Sequence, residues 1–266
     1  MWDFNHDPLQ SSLAGRYTLH LTAPAQCARQ LLTGEADLGL IPIAALTPAL
    51  AIVPGCTIAS LHSVRSILLI VKDDRPLNQV RTVAADTASR SSVAYTEVLF
   101  RQFLQADPHF NAADADPEAM LRSNDAALLI GDPALLARER KAEIEASLGP
   151  CQWYDIAELW RHYTGLPWVA AVWAVRPEAL PNGSARAQLI ADLNQSRDHG
   201  LNHIEDLVTE WTPRIALPPE TIRTYLTTNI HYHLDQPCIE TITRFRALAA
   251  TTGALEPLGP LRFLEL

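Results

Sequence analysis

The chain has 266 residues, of which 48% are hydrophobic and 19% charged, so it is long and apolar enough to bury a substantial core. Its 30 acidic side chains outnumber the 21 basic ones and give a formal net charge of −9, which argues against nucleic acid as a partner. No apolar run reaches the roughly 20 residues that a membrane-spanning helix needs, so we predict no membrane insertion.

Short apolar segments alternate with helical patterns as far as Arg176, which is typical of an α/β fold, and the remaining pattern is nearly all helical. We predict strands at residues 17–22, 37–43, 64–71, 81–85, 126–130 and 168–175. We predict helices at residues 24–33, 91–105, 185–197, 202–211, 219–227 and 237–252.

The first predicted helix carries a start and a stop signal. Pro24 suits the first helical position because its missing N–H needs no partner there, and Gly34 suits a left-handed cap. We expect Ala28, Leu31 and Leu32 to face the core.

Several common chemistries lack their sequence motifs. The chain has no G-x-G-x-x-G, G-x-x-x-x-G-K-[ST], H-E-x-x-H or G-x-S-x-G, so we predict no nucleotide cofactor, zinc-hydrolase site or hydrolase nucleophile. The four cysteines are widely spaced without a C-x-x-C pair, and we expect buried thiols. His231 and His233 flank Tyr232, but no further motif completes a ligand set, so we predict no metal site and no cofactor.

A polar segment that ends at Ser66 leads into a strongly apolar strand. By strand alternation, we expect Val64, Ser66 and Leu68 to share a face and Arg65 to point the other way. A serine at the mouth of a strand can present its hydroxyl to a ligand, so Ser66 is a candidate site residue. The alternative is a hydroxyl that bonds only to nearby backbone.

Hydroxyl groups cluster between a predicted strand and the helix that follows it. Ser89, Ser91 and Ser92 surround Arg90 at the expected helix start. Backbone N–H groups, hydroxyls and a guanidinium all donate hydrogen bonds, so we predict a binding site for a carboxylate or phosphate. The alternative is a serine-rich helix cap.

Two turns complete the set of candidates. Thr164 and Gly165 precede the predicted strand that begins at Trp168, and we expect them to line the same cleft. Asp132 follows a strand and precedes Pro133, which favours a helix cap over a catalytic carboxylate.

Five segments together carry a resemblance to a known family. They are residues 37–43 (DLGLIPI), 63–66 (SVRS), 89–93 (SRSSV), 129–135 (LIGDPAL) and 164–169 (TGLPWV). In this order and at these distances they resemble the chorismate dehydratases of the futalosine route to menaquinone. The similarity runs from about residue 2 to the C-terminus.

The resemblance implies a two-lobed α/β fold of the type II periplasmic-binding-protein kind, with the substrate in a cleft between the lobes. Chain order assigns residues 1–65 and 176–266 to one lobe and residues 66–175 to the other. Members of the family begin with a strand and an Asn-x-x-Pro-Leu segment ahead of a Trp-x-Phe region, which here is Trp2 to Phe4. We therefore expect a further strand to be encoded upstream of Met1. The alternatives are that the chain was trimmed or that this copy is impaired.

The family resemblance implies dehydration of chorismate to 3-[(1-carboxyvinyl)oxy]benzoate. Ser66 is then expected to bind and polarise the substrate. Ser89, Ser91, Ser92, Thr164 and Gly165 are expected to bind its carboxylates, with Arg90 either joining them or bracing the loop. Since no histidine or glutamate stands out as a base, the candidates are the substrate's own enolpyruvyl carboxylate, a bound water, or a group on the upstream segment.

Two other functions with the same fold stay open. A solute-binding receptor would need an export signal or a lipid-attachment cysteine, and Met1 to Pro8 have neither, which favours the cytoplasm. The sister enzyme that makes 1,4-dihydroxy-6-naphthoate would share the fold, but residues 129–132 and 164–168 fit the dehydratase better. A sensing domain of a regulator is disfavoured because nothing resembles an attached helix-turn-helix.

Overall fold

The structure, a computed structural model, describes residues 1–6, 9–86 and 90–265. The chain divides into two compact units. Unit 1 comprises Met1–Ile58, Ala171–Asp235 and Gly259–Leu266, and unit 2 comprises Ala59–Ala170 and Gln236–Leu258.

These unit boundaries differ from those of the predicted lobes. The chain enters unit 2 after Ile58 and leaves it after Ala170, and it returns for residues 236–258. The return has a physical reason, because Phe245 is fully buried and stacks on Tyr95 of the same unit with ring centroids 4.0 Å apart. The proposal that two lobes enclose a substrate remains a prediction.

The described residues contain nine β-strands and eleven α-helices. The strands are β1 (Leu38–Pro42), β2 (Ala51–Ser60), β3 (Ile67–Lys72), β4 (Thr82–Asp86), β5 (His109–Ala113), β6 (Ala126–Ile130), β7 (Cys151–Asp155), β8 (Trp168–Val175) and β9 (His231–Leu234). The helices are α1 (Leu9–Ala14), α2 (Pro24–Thr33), α3 (Arg90–Val98), α4 (Pro117–Ser123), α5 (Asp132–Glu139), α6 (Lys141–Leu148), α7 (Ile156–Thr164), α8 (Gly183–Asn202), α9 (Ile204–Ile215), α10 (Pro219–Thr224) and α11 (Gln236–Thr251). No helix in the described ranges is both long and apolar enough to span a bilayer.

Unit 1 is built on a four-stranded sheet in the order β1-β8-β2-β9, with β1 antiparallel to β8. Its core includes Val53 and Val175 from the sheet and Leu189 and Leu193 from α8. Because α8 repeats an apolar residue every four positions at this point, it can lay one face on the sheet.

Unit 2 is built on a five-stranded sheet in the order β5-β4-β6-β3-β7. Strands β4, β5 and β6 run parallel, whereas β3 is antiparallel to both β6 and β7. Helices α4, α5 and α6 cover one face, where Met120, Ala134 and Ile144 pack on Leu68 and Leu129. All residues of β3 except Lys72 are buried, so both faces of this strand are covered and its sequence is continuously apolar.

Two details of the predicted first helix have opposite outcomes. Its bounds are confirmed, because α2 begins at Pro24 and Gly34 takes a left-handed conformation with φ of 78°. Ala28 and Leu31 are buried as predicted, but Leu32 is 52% exposed, so its assignment to the core was wrong. Leu32 directly follows Leu31, and adjacent residues point about 100° apart on a helix.

Residues 17–22 form no strand, so that prediction was wrong. Leu19 and Leu21 are exposed, Leu21 by 87%. Alternating β-formers become a strand only where a neighbouring strand supplies hydrogen bonds, and the structure describes no ladder for this segment.

The strands that the sequence analysis missed have identifiable causes. In β2, Pro54-Gly55 is typical of a turn, yet Gly55 continues the strand with φ of 96°. A Cβ on Gly55 would lie 2.1 Å from Asn194 Oδ1, so α8 approaches the backbone there too closely for a side chain. Strands β5, β7 and β9 are short and incompletely buried, which weakens their apolar pattern.

The four cysteines are all described and form no disulfide. Cys56 and Cys238 are buried as expected, whereas Cys27 and Cys151 are only partly buried. Burial raises the pKa of the Cys27, Cys56 and Cys151 thiols, because it disfavours their thiolate forms.

Candidate functional site

One edge of the unit 2 sheet has the topology of a ligand site. Strands β4 and β6 are parallel neighbours, so their last residues, Asp86 and Ile130, lie at the same edge. The chain after β4 runs through α3 to β5, while the chain after β6 runs through α5 and α6 to β7 on the opposite side. Loops that diverge in this way leave a crevice at the carboxyl ends of the strands, where α/β proteins bind ligands. We call this edge the switch point.

Ser66 lies beside the switch point. It precedes β3, whose first residue, Ile67, pairs with Ile130 at the end of β6. The Gly131 N–H donates a hydrogen bond of 2.7 Å to the Ser66 carbonyl. Ser66 is 6% exposed. The structure therefore places this residue at the expected end of a strand and against the loop that follows β6.

The predicted start of this strand at Val64 was wrong, and the shared face of Val64, Ser66 and Leu68 remains a prediction. Strand β3 starts only at Ile67, and Arg65 lies in the left-handed region with φ of 63°. Alternation of side chains holds within an extended strand and fails across such a turn. Ser66 therefore lies at the end of a turn and not within the strand.

Helix α3 begins directly after the switch point, at Arg90. Ser91 and Ser92 are buried and Arg90 is exposed, while Ser89 lies outside the described residues. The first N–H groups of a helix carry partial positive charge and favour an anion. The structure thus brings Ser66 and the start of α3 to one edge of the same sheet.

Thr164 and Gly165 form the end of α7. The Thr164 hydroxyl donates to the Trp160 carbonyl at 2.6 Å and accepts from Leu166 N–H at 3.2 Å. Gly165 takes a left-handed conformation with φ of 73° and caps the helix. These contacts give both residues a local role, and substrate binding by them remains a prediction.

Asp132 is the first residue of α5, and its assignment as the cap was wrong by one position. Gly131 takes the cap position with φ of 72°, and its carbonyl accepts from Ala134 and Leu135 N–H. A glycine reaches this conformation without a Cβ clash, so the turn after β6 is set by Gly131.

Sequence reasoning missed Asp155, the last residue of β7 and the cap of α7. Its side chain is 1% exposed, and Arg138 Nη2 lies 3.2 Å from Oδ2. Burial lowers the pKa of Arg138, and the Asp155 charge opposes that shift. A signal was present, because Asp155 and Glu158 have the spacing of a helix capping box.

The histidine pair on β9 has a carboxylate partner in unit 1. His231 Nε2 lies 3.1 Å from Asp235 Oδ2, and the His231 and His233 rings are 5.8 Å apart. Burial, Arg197 and His231 lower the pKa of His233, which favours its neutral form. That the protein needs no metal for its activity remains a prediction.

Comparison with known proteins identifies the family. The sequence profile of a family described as menaquinone biosynthesis matches residues 2–251. The chain is 30% identical over 236 residues to a chorismate dehydratase of Thermus thermophilus, covering 85% of this chain and 83% of that protein. The chain belongs to the menaquinone-biosynthesis family. The predicted resemblance is confirmed.

Solved structures agree on the fold of this family member. Protein AF1704 of Archaeoglobus fulgidus superposes with a TM-score of 0.68 at 14% identity, covering 92% of both chains. The periplasmic aliphatic sulphonate binding protein SsuA of Escherichia coli gives 0.62 at 15% identity, covering 97% of this chain and 88% of its own. The predicted periplasmic-binding-protein-like α/β fold is confirmed.

Proposed function

We propose that the chain is a chorismate dehydratase, a hydro-lyase that converts chorismate into 3-[(1-carboxyvinyl)oxy]benzoate and water on the futalosine route to menaquinone. The observation that carries the proposal is the 30% identity to a chorismate dehydratase across most of both proteins. The placement of Ser66 and the start of α3 at the switch point supports it. The reaction is assigned to the cytoplasm, with chorismate as the small-molecule partner.

The chemistry matches the groups at this edge. The ring carbon that carries the enol-ether oxygen is adjacent to a double bond that is conjugated with the ring carboxylate. Removal of the proton on this carbon therefore gives a delocalised anion. Hydroxide then leaves the neighbouring carbon, and the ring becomes aromatic. The protein has to orient two carboxylates and stabilise negative charge, which hydrogen-bond donors do best when they are fixed in advance.

Each candidate residue receives a role in this proposal. Ser66 donates to the charge that develops as the proton leaves. Ser91, Ser92 and the first N–H groups of α3 bind a carboxylate, with Arg90 beside them. Ser89, Thr164 and Gly165 contribute further contacts to substrate.

A base is still required for the ring proton. Hydroxyls and a guanidinium are poor bases at neutral pH. The substrate's own enolpyruvyl carboxylate is therefore assigned this role, with a bound water as the alternative.

Incubation of the purified protein with chorismate tests the proposal. We expect loss of one water by mass spectrometry and the ultraviolet absorption of an aromatic product, without added cofactor. Heat-treated protein serves as the control for spontaneous decay. Chorismate that binds without turnover would favour the solute-binding alternative, and chorismate that is neither bound nor consumed would favour the sister synthase.

A further inference from the structure

The turn before Ser66 is organised by one buried carboxylate. At least six donors among the described residues lie within hydrogen-bond distance of Asp155. Oδ1 accepts from the backbone N–H groups of Val64 (3.2 Å), Ala157 (3.0 Å) and Glu158 (3.4 Å). Oδ2 accepts from Ser63 Oγ (2.9 Å), Arg65 N–H (2.7 Å) and Arg138 Nη2 (3.2 Å).

Capping a helix accounts for only part of this arrangement. The contacts with Ala157 and Glu158 satisfy the first N–H groups of α7. Asp116 performs the same task for α4 with a single bond of 3.0 Å from Ala119 N–H, and it does so at an exposed position. Three of the donors to Asp155 come instead from residues 63–65, which are distant in sequence.

These contacts hold Arg65 in a backbone conformation that is uncommon for residues other than glycine. Arg65 has a φ of 63°, a value that residues other than glycine rarely adopt. Its N–H donates to Asp155, and its carbonyl accepts from Arg138 Nε at 3.1 Å. The Asp155–Arg138 pair therefore holds both backbone groups of the residue that precedes Ser66.

The peptide group that follows Ser66 is held by β6 and its loop. The Ser66 carbonyl accepts from Gly131 N–H at the end of β6. Fixed peptide groups before and after a residue set the direction of its Cα–Cβ bond. The direction of the Ser66 side chain thus depends on Asp155 through the turn.

We propose that Asp155 is a positioning residue for the candidate active site, which holds the turn at residues 63–65 so that Ser66 faces its substrate. The proposal rests on the proposed function for its kinetic consequence. Its structural basis is the juxtaposition of one buried carboxylate with three consecutive residues of the turn.

A double-mutant cycle tests the proposal. Asp155→Asn keeps the size of the side chain but replaces one acceptor oxygen by a donor that would face other donors. We expect kcat for chorismate to fall roughly 10- to 100-fold, the range that a small misplacement of a reacting group produces, with a smaller change in KM. In a Ser66→Ala background the same change should lower kcat little further, since the group that it positions is gone. Equal losses in both backgrounds would overturn the proposal.

Asp116→Asn is the matched control, because it alters a helix cap in the same unit without touching the turn. Ser63→Ala is the second test variant. It removes one turn contact and leaves the cap of α7 in place, so it serves if Asp155→Asn fails to fold. We expect Ser63→Ala also to lower kcat. We expect Asp116→Asn to leave kcat unchanged, because Asp116 is exposed and its bond to Ala119 N–H lies outside the turn.

Hydrogen exchange supplies a readout that needs no substrate. Asp155→Asn should speed exchange at the Val64 and Arg65 amides, while Asp116→Asn should not. Unchanged exchange at these amides would refute the positioning role by itself. An inactive wild-type protein would refute the proposed function instead, so the two failures are distinguishable.

Discussion

Ser66→Ala should lower kcat rather than raise KM. The substitution removes only Oγ, since the backbone bond from Gly131 N–H to the Ser66 carbonyl does not involve the side chain. A hydrogen bond to a charged group contributes about 1.5–3 kcal/mol. If Ser66 makes that bond only as the ring proton leaves, its loss slows the chemical step by roughly 10- to 150-fold.

Ser91 and Ser92 provide the contrast. They are placed against a carboxylate that is charged throughout the reaction, so their contribution is nearly the same in the ground and transition states. We expect Ser91→Ala or Ser92→Ala to raise KM by a similar factor with little change in kcat. Both residues are 1% exposed, so thermal unfolding of each variant must be measured to separate lost binding from lost fold.

Steady-state and single-turnover kinetics with chorismate separate the two effects. A burst followed by slower turnover would show that product release limits kcat, and the single-turnover rate then reports the chemical step. If Ser66→Ala leaves the single-turnover rate unchanged and raises only KM, Ser66 is a binding residue and the catalytic assignment is wrong.

Three further outcomes are expected. Phe245→Ala should destabilise the protein by about 3–5 kcal/mol in urea unfolding, because it empties a buried site against Tyr95, whereas Leu32→Ala at an exposed site should change stability by less than about 0.5 kcal/mol. Burial raises the pKa of Glu97 above its ordinary value, although the Arg101 charge opposes this shift. The folded state therefore disfavours the charged carboxylate, and the contribution of Glu97 to the free energy of unfolding falls as pH rises above 4.5. Glu97→Gln should therefore gain stability relative to the wild type between pH 4.5 and neutrality, and a gain that is constant from pH 4 to 7 would contradict this reasoning. Dialysis against EDTA should leave turnover unchanged, because no metal is assigned to the reaction.

The sequence analysis predicted correctly the elements whose bounds depend only on nearby residues. Continuous apolar runs gave β6 and β8 their bounds, and Pro24 with Gly34 delimited α2. Residues 17–22 have an equally good strand pattern, but a strand depends on a partner that no local pattern reveals.

The candidate site likewise depends on contacts between residues that are distant in sequence. The clusters around Ser66 and Ser91 were visible as separate motifs, and their common position follows from the strand order β4-β6-β3, which joins distant segments. Asp155 carries its three turn contacts across about ninety residues of chain, as the separations of 90 to 92 show. Its capping-box spacing could have revealed the helix start but not the turn that it holds.

Strand β2, which lies early in the chain, forms backbone hydrogen bonds with residues 262–264. The Ile52 N–H donates to the Arg262 carbonyl at 2.8 Å, and the Ile52 carbonyl accepts from Leu264 N–H at 2.9 Å. A ribosome releases residue 52 long before it reaches residue 262, so this pairing in unit 1 forms only after residues 262–264 have been made. Until then the Ile52 N–H and carbonyl lack these partners, so the first part of unit 1 completes its backbone pairing only late in synthesis.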